Sequence, residues 1–252
     1  MKKLFGLFTA LFLAISFATT ASASTMYPAT QTGHDVSFPN SSTPTTGTFG
    51  IIGVTGGRAF SYNTNFAGEY QWASSYSPTV APSVFINLNA PIGTTASNGM
   101  LGPDGSCSRK DKVCQAYNYG YNAAQDAYGH FGSSSTASIW WLDIETSNSW
   151  SSNASLNRYT IDGAAAFFAG GKAPNGSTFT GKGKPVGIYS TPSMWSTITN
   201  KYQNGLPAWV ATTETTPAGA ATHCTPNDFT NGITYLVQYN DGSGFDADYA
   251  CP

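Results

Sequence analysis

The sequence predicts an α/β fold, a TIM-like (β/α) barrel with about eight strands and a reduced set of helices in its last third. Several strand-like runs are continuously apolar rather than alternating, which is typical of parallel strands buried on both faces. Helical segments separate these runs through the fifth strand, and the last three strands follow one another closely. The rival fold, an open doubly wound sheet, usually has a Gly-rich loop after its first strand, where this chain has Phe38-Pro39-Asn40.

Strand and helix signals occur in a regular order. The expected strands lie at residues 33–37, 49–54, 84–89, 139–145, 185–190, 207–212, 234–239 and 245–249. Helices are expected at 66–76, 116–131 and 156–169, the last of them ended by Gly170-Gly171. Thr191 followed by Pro192 fits the N-cap and first position of a short helix that runs to Ile198. Aromatic stripes on these helices are expected to pack in the core.

The N-terminus has the features of a targeting segment. Two lysines precede an apolar run from Leu4 to Ala18, and Ala21-Ser22-Ala23 fits a small-residue cleavage site. Residues 1–23 are therefore expected to be a signal peptide and residues 24–252 one barrel-sized domain. The apolar run is short for a membrane span, and an uncleaved anchor is the minor alternative. The expected location is secreted, either extracellular or in the cell wall.

Charge and composition restrict the partners. Removal of Lys2 and Lys3 leaves nine basic and thirteen acidic residues, a net charge of −4, with no block of like charge. Such a chain is a poor candidate for binding nucleic acid or an anionic membrane surface. Nothing after the first segment looks transmembrane, and a monomer that carries no cofactor is expected.

The cysteines predict disulfides. Four remain after export, namely Cys107, Cys114, Cys224 and Cys251. An even number in a secreted protein indicates disulfide bonds, for which three pairings exist. The pairing of nearest neighbours, Cys107 with Cys114 and Cys224 with Cys251, is favoured. Zinc binding is the weaker alternative because the chain has no C-x-x-C motif.

The most informative segment is Trp140-Trp141-Leu142-Asp143-Ile144-Glu145-Thr146. Because side chains alternate along a strand, Asp143 and Glu145 are expected on one face, with Cα atoms roughly 6.6 Å apart. Leu142 and Ile144 would face the other way. The end of a buried strand is where α/β barrels keep their catalytic residues, so this acidic pair is the principal candidate site.

Two further acids, Asp35 and Asp246, also lie at or near strand ends, and a parallel barrel would bring all four acids to one mouth. Paired carboxylates are what glycoside hydrolysis needs: one protonates the leaving oxygen, and the other stabilises the transition state, attacks it or activates water. Each acid taken alone also has a structural explanation, as a cap, an internal hydrogen-bonding group or a turn residue. A divalent cation site is a further way to use the cluster.

Other chemistries lack their motifs. The chain has no G-x-S-x-G elbow, Walker loop or H-E-x-x-H sequence, and its three histidines are dispersed. No resident metal is therefore assigned. Aromatic residues at the later strand ends are candidate sugar platforms, because rings pack against apolar sugar faces. The candidates are Tyr189, Trp209, Tyr235 and Tyr239 on strands, and Trp150 and Trp195 in adjoining segments. Burial in the barrel core explains Trp140 and Tyr235 at least as well.

The order of these motifs resembles glycoside hydrolase family 25, the lysozyme-type muramidases. The resemblance is carried by Gly33-His34-Asp35-Val36-Ser37, Leu142-Asp143-Ile144-Glu145, Val186-Gly187-Ile188-Tyr189-Ser190, Trp209-Val210-Ala211, Val237-Gln238-Tyr239 and Phe245-Asp246. It covers nearly the whole mature chain and implies a barrel of eight strands and about five helices. Residues 85–91 and 114–121 look more like a secreted, glycoside-hydrolase-like actinobacterial branch of undefined activity.

The resemblance implies a role for each matching residue. Glu145 would be the general acid and Asp143 the stabiliser of the transition state or intermediate. Asp35 and Asp246 would complete the acidic cluster, and Tyr189, Trp209 and Gln238 would line the sugar site. The implied activity is cleavage of a β-1,4 link beside N-acetylmuramic acid, in peptidoglycan or a related aminosugar glycan. The alternative function is a non-catalytic carbohydrate-binding or cell-wall-associated protein on the same barrel.

Overall fold

The computed structural model describes residues 26–38, 40–76, 81–90, 96–132, 136–226 and 228–252. The expected signal peptide, residues 1–23, lies outside the described residues. In the part of the chain that is described, no helix combines the length and apolarity needed to cross a membrane.

Eight strands close into a barrel, in the order β1-β12-β11-β10-β9-β6-β3-β2. The strands in chain order are β1 Thr32–Val36, β2 Gly50–Gly53, β3 Ser83–Asn87, β4 Leu101–Gly102, β5 Gly105–Ser106, β6 Trp140–Asp143, β7 Gly171–Lys172, β8 Thr178–Phe179, β9 Val186–Ser190, β10 Ala208–Ala211, β11 Thr234–Tyr239 and β12 Asp246–Ala250. β4–β5 and β7–β8 are small separate hairpins that the sequence did not predict. The expected eight-stranded closed barrel is therefore present.

The barrel is mixed rather than wholly parallel. Six neighbouring pairs are parallel, whereas β12 runs antiparallel to both β1 and β11. The expectation of parallel strands throughout is wrong for this last strand. The connection from Tyr239 to Asp246 is too short for a crossover, so the chain can only turn back on itself.

Helices concentrate in the first two-thirds of the chain. Their bounds are α1 Phe66–Tyr76, α2 Lys112–Phe131, α3 Ala154–Ala169, α4 Pro192–Thr199 and α5 Pro217–Ala221, with a 3₁₀ turn at Ala96–Gly99. The Thr191 side chain accepts a hydrogen bond from the Met194 N–H at 3.0 Å, which caps α4 as expected. α2 begins four residues earlier than predicted because Asp111 caps it through the Cys114 N–H. The five-residue α5 was not predicted.

Two apolar layers flank the strands. Inside the barrel, Trp141 packs with Phe85, Trp209 and Tyr235. Outside it, Trp140 and Leu142 pack against the helices. This alternation along β6 turns Asp143 toward the barrel axis, the same side as Trp141. The core residues therefore fix the direction in which the candidate acid points.

Both favoured disulfides are present. Cys107–Cys114 and Cys224–Cys251 have Cα–Cα distances of 5.6 and 5.5 Å, within the range of ordinary disulfides. The second bond ties the residue after β12 to the segment that follows α5. Disulfide bonds form in oxidising compartments, which is compatible with export.

Candidate active site

The four predicted acids lie together in one cavity of about 260 Å³ at the barrel mouth. Asp35 and Asp143 stand near or at the ends of β1 and β6, and Glu145 follows β6 by two residues. Asp246 is the first residue of β12. Because β12 runs antiparallel to β1, its first residue lies at the same mouth, where Asp246 is paired in register with Asp35. The three residues predicted to bind sugar, Tyr189, Trp209 and Gln238, line the same cavity.

Asp143 is the most enclosed of the lining acids, with 4% of its surface exposed. The Asn87 side-chain amide donates a hydrogen bond to Asp143 Oδ2. Thr55 Oγ1 in turn donates to Asn87 Oδ1 at 2.7 Å, which fixes the orientation of the amide. Asp143 Oδ1 has no hydrogen-bond partner. Burial, and then the charges of Glu145 and Asp35, raise the pKa of Asp143 well above its usual range.

Glu145 is only partly buried and so can be reached from the cavity. Its loop is held by Trp150, whose indole N–H donates to the Glu145 backbone oxygen at 2.7 Å. Burial raises the pKa of Glu145 and the charge of Asp246 raises it further, while a hydrogen bond from Ser147 opposes them. A carboxyl that keeps its proton closer to neutral pH is suited to act as a general acid.

Asp35 is held by a chain of polar side chains. Tyr189 Oη donates to Gln238 Oε1 at 2.8 Å, and Gln238 Nε2 donates to Asp35 Oδ2 at 2.8 Å. Burial, reinforced by the charge of Asp246, raises the pKa of Asp35 to about 8 despite the bond from Gln238. Asp35 therefore holds a proton at neutral pH.

A fifth acid, Asp248, lies beneath this cluster and was missed by the sequence reasoning. It is fully buried, and its Oδ1 accepts a hydrogen bond from the Trp209 indole N–H at 2.7 Å. Its other oxygen has no hydrogen-bond partner among the described residues, although the Asp248 carboxyl is close enough to Asp35 to feel its charge. Burial and the charge of Asp35 raise the pKa of Asp248 well above its usual range. The alternation argument applied to Asp143 and Glu145 applies equally to Asp246 and Asp248 and would have found it.

The aromatic candidates separate into two groups. Tyr189 and Trp209 line the cavity, although Trp209 is only 1% exposed and forms its floor. The other four proposed platforms lie elsewhere: Tyr235 is in the inner core, Trp195 packs with the outer core, Trp150 secures the Glu145 loop, and Tyr239 lines a neighbouring pocket. Sequence position alone does not tell which face of a strand or helix a ring occupies. Phe38, 41% exposed at the rim, is a platform candidate that the sequence reasoning missed.

The charges of the cavity have one sign. No Lys, Arg or His is among the described residues that line it. Within the described ranges, no group of three or more His, Cys, Asp or Glu side chains is arranged to hold a metal ion. His34, next to Asp35 in sequence, contacts Thr46 instead, as its position on the opposite face of β1 requires.

Replacement of Asp35 by Asn is expected to stabilise the protein at alkaline pH. A pKa raised from 3.8 to about 8 means that the folded state binds more protons than the unfolded chain in this window. Stability is therefore fully present below about pH 4 and is lost as pH rises through about 8. Asp35→Asn removes this loss and should raise the melting temperature at about pH 8 by at least roughly 4–8 °C, equivalent to about 2 kcal/mol or more. The gain should vanish near pH 4.

Asp241→Asn is the matched control. Hydrogen bonds from Ser243 outweigh partial burial and lower the pKa of Asp241, so its stabilising effect is present at alkaline pH and lost in acid. Thermal melts across this pH range should show opposite trends for the two variants. Parallel curves for Asp35→Asn and wild type would contradict the proposed burial of the carboxyl.

Comparisons with known proteins assign no family. No protein-family model, curated protein or solved structure matches this chain. The geometry of the cavity and the order of the motifs along the chain therefore carry the functional assignment proposed below.

Proposed function

We propose that this protein is a secreted glycoside hydrolase that cleaves peptidoglycan or a related aminosugar glycan, in the manner of the muramidases. The observation that carries the proposal is the convergence of Asp35, Asp143, Glu145 and Asp246 on one cavity with no basic residue in its lining. Glycoside hydrolysis uses a carboxyl that keeps its proton and a second carboxylate beside the sugar ring.

The two central acids differ in the way that the proposed roles require. Glu145 is partly exposed and its pKa is raised, so we assign it as the general acid that protonates the leaving oxygen. Asp143 is enclosed and oriented by Asn87, so we assign it as the group that stabilises the developing positive charge. Asp35 and Asp246 complete the cluster around them.

The remaining lining residues are suited to hold a sugar. Tyr189, Gln238 and Asp35 form a linked polar wall through hydrogen bonds. Phe38 offers an exposed ring at the rim, and Trp209 supports the floor. Rings that face apolar sugar surfaces beside polar groups that bond hydroxyls are the usual composition of a saccharide site.

The proposal extends to the fold family and the location. We regard the barrel as TIM-like and related to glycoside hydrolase family 25, with β12 as the reversed last strand. The seven barrel strands that precede β12 are parallel, with three long helices between them, and this supports the relation. The two disulfides support export.

The test is turnover of purified cell walls. Wild-type protein should release soluble muropeptides with new reducing ends, and Asp143→Asn should reduce the rate by about 10²-fold or more, because the developing charge loses its partner. Asp126→Asn, a partly buried position on α2 outside the cavity, should retain full activity. Binding of glycan without cleavage by any of the three proteins would overturn the enzyme assignment in favour of a carbohydrate-binding protein.

A further inference from the structure

The cavity contains more carboxyl groups than the proposed reaction needs. Hydrolysis uses two carboxyls, whereas four line the cavity and Asp248 lies beneath them. Neighbouring like charges oppose the ionisation of one another, so full ionisation of the cluster is unfavourable unless a positive charge offsets it. The protein supplies none in the described lining: Arg58 is near in sequence to the lining residue Gly57 but is exposed to solvent and does not line the cavity.

A second observation identifies where the missing group would bind. Asp143 is buried and lines the cavity, yet its Oδ1 has no hydrogen-bond donor. A buried acceptor without a donor is unfavourable, and a ligand that supplies the donor recovers the lost free energy. The partner of Asp143 Oδ1 is therefore expected to be a ligand group that donates hydrogen bonds.

We propose that the cavity recognises a glycan whose glucosamine carries a free, protonated amine, and that this ammonium group lies against Asp143 Oδ1 among the neighbouring carboxyls. The inference depends on the proposed function and names its substrate class. An ammonium group offers three donors and a full positive charge. An N-acetylated sugar offers one neutral N–H in the same place.

The same assignment resolves a difficulty in the chemistry of Asp143. A carboxylate that stabilises positive charge must be ionised, but burial and its acidic neighbours raise the pKa of Asp143. A bound ammonium favours the ionised form and so lowers this pKa. Binding should therefore release protons from the cluster, which isothermal titration in buffers of different ionisation enthalpy can measure.

The experiment compares two ligands that differ only in acetylation, the β-1,4-linked glucosamine tetramer and its N-acetylated counterpart. Titrations use the Glu145→Gln protein, in which cleavage is expected to be blocked. At low salt the glucosamine tetramer should bind about tenfold more tightly or better, and the preference should shrink at about 1 M salt because the attraction is screened. Equal affinities, a preference for the acetylated tetramer, or no binding of either would overturn the inference.

Two further variants locate the preference within the cavity. Adding Asp143→Asn should abolish the preference for the free amine, and a circular dichroism spectrum that matches the Glu145→Gln protein would show that the variant is folded. Adding Asp126→Asn changes the net charge equally but should leave the preference intact. If the folded Asp143→Asn protein keeps its preference for the free amine, the ammonium site is wrong. If that protein does not fold, an undiminished preference in the Asp246→Asn protein overturns the site instead. Muropeptide release from fully N-acetylated walls by wild type would in either case still support the proposed function.

Discussion

Glu145→Gln is expected to reduce glycan hydrolysis by about 10²–10⁴-fold with little change in KM. Glutamine has the size of the acid but no proton to give to the leaving oxygen. Its side chain can still accept the hydrogen bond that Ser147 donates, and the Trp150 bond reaches the backbone and is unaffected. The loop should therefore keep its position, and the loss should fall on kcat.

A change of leaving group separates acid catalysis from a structural effect. An aryl glycoside with a strongly acidic phenol releases its phenolate without protonation by the enzyme. The Glu145→Gln protein should therefore cleave such substrates at nearly the wild-type rate. Glu214→Gln is the matched control, because Glu214 Oε1 lies 3.3 Å from His223 Nε2 and Glu214 lines neither the acidic cavity nor the neighbouring pocket at Tyr239. A comparable loss on both substrate types would contradict the general-acid role, and undiminished activity on cell walls would remove Glu145 from the mechanism.

Much of the barrel could be predicted because its strands differ sharply from their surroundings in apolarity. The segment around Trp141 shows why the positions of the acids could be predicted. Alternation along β6 determines that Asp143 faces the barrel interior, and its position at the end of the strand determines that it lies at the barrel mouth. The position of Asp246 at the mouth was predicted for the wrong reason. It depends on the reversal of β12, which follows from the length of a turn rather than from the apolar pattern.

Contacts between residues that are distant in sequence could not be predicted. The bonds from Trp209 to Asp248 and from Asn87 to Asp143 join different strands, and no local pattern indicates which residues pair. Trp195 was predicted as a sugar platform, and Tyr235 as either a platform or a core residue. Both rings are buried in the core, and their burial depends on the layers that cover them. Local periodicity fixes the direction of a side chain relative to its own element, but not the element that it meets.

The contact between α2 and α3 is a second case of this limit. Two glycines in α2 follow a tyrosine in sequence, Gly120 and Gly129, and the pattern does not distinguish them. In the fold, a Cβ at Gly120 would lie 1.8 Å from the Thr160 backbone oxygen, whereas a Cβ at Gly129 would meet nothing within 4 Å. Gly163 on α3 is similarly close to α2, with a Cβ position 2.0 Å from the Tyr117 oxygen. The helices can approach this closely only without side chains at the crossing.

Gly120→Ala is therefore expected to destabilise the protein by about 3 kcal/mol or more, because backbone atoms must move to admit the methyl group. For a chain of this size the melting temperature should fall by roughly 6–12 °C. Gly129→Ala on the same helix should instead gain about 0.5–1 kcal/mol, since alanine loses less backbone freedom on folding than glycine. Chemical denaturation of the three proteins measures both changes. If the two alanine variants shifted stability in the same direction, the close crossing of α2 and α3 would be wrong, and the outer layer behind Trp140 would have to be packed differently.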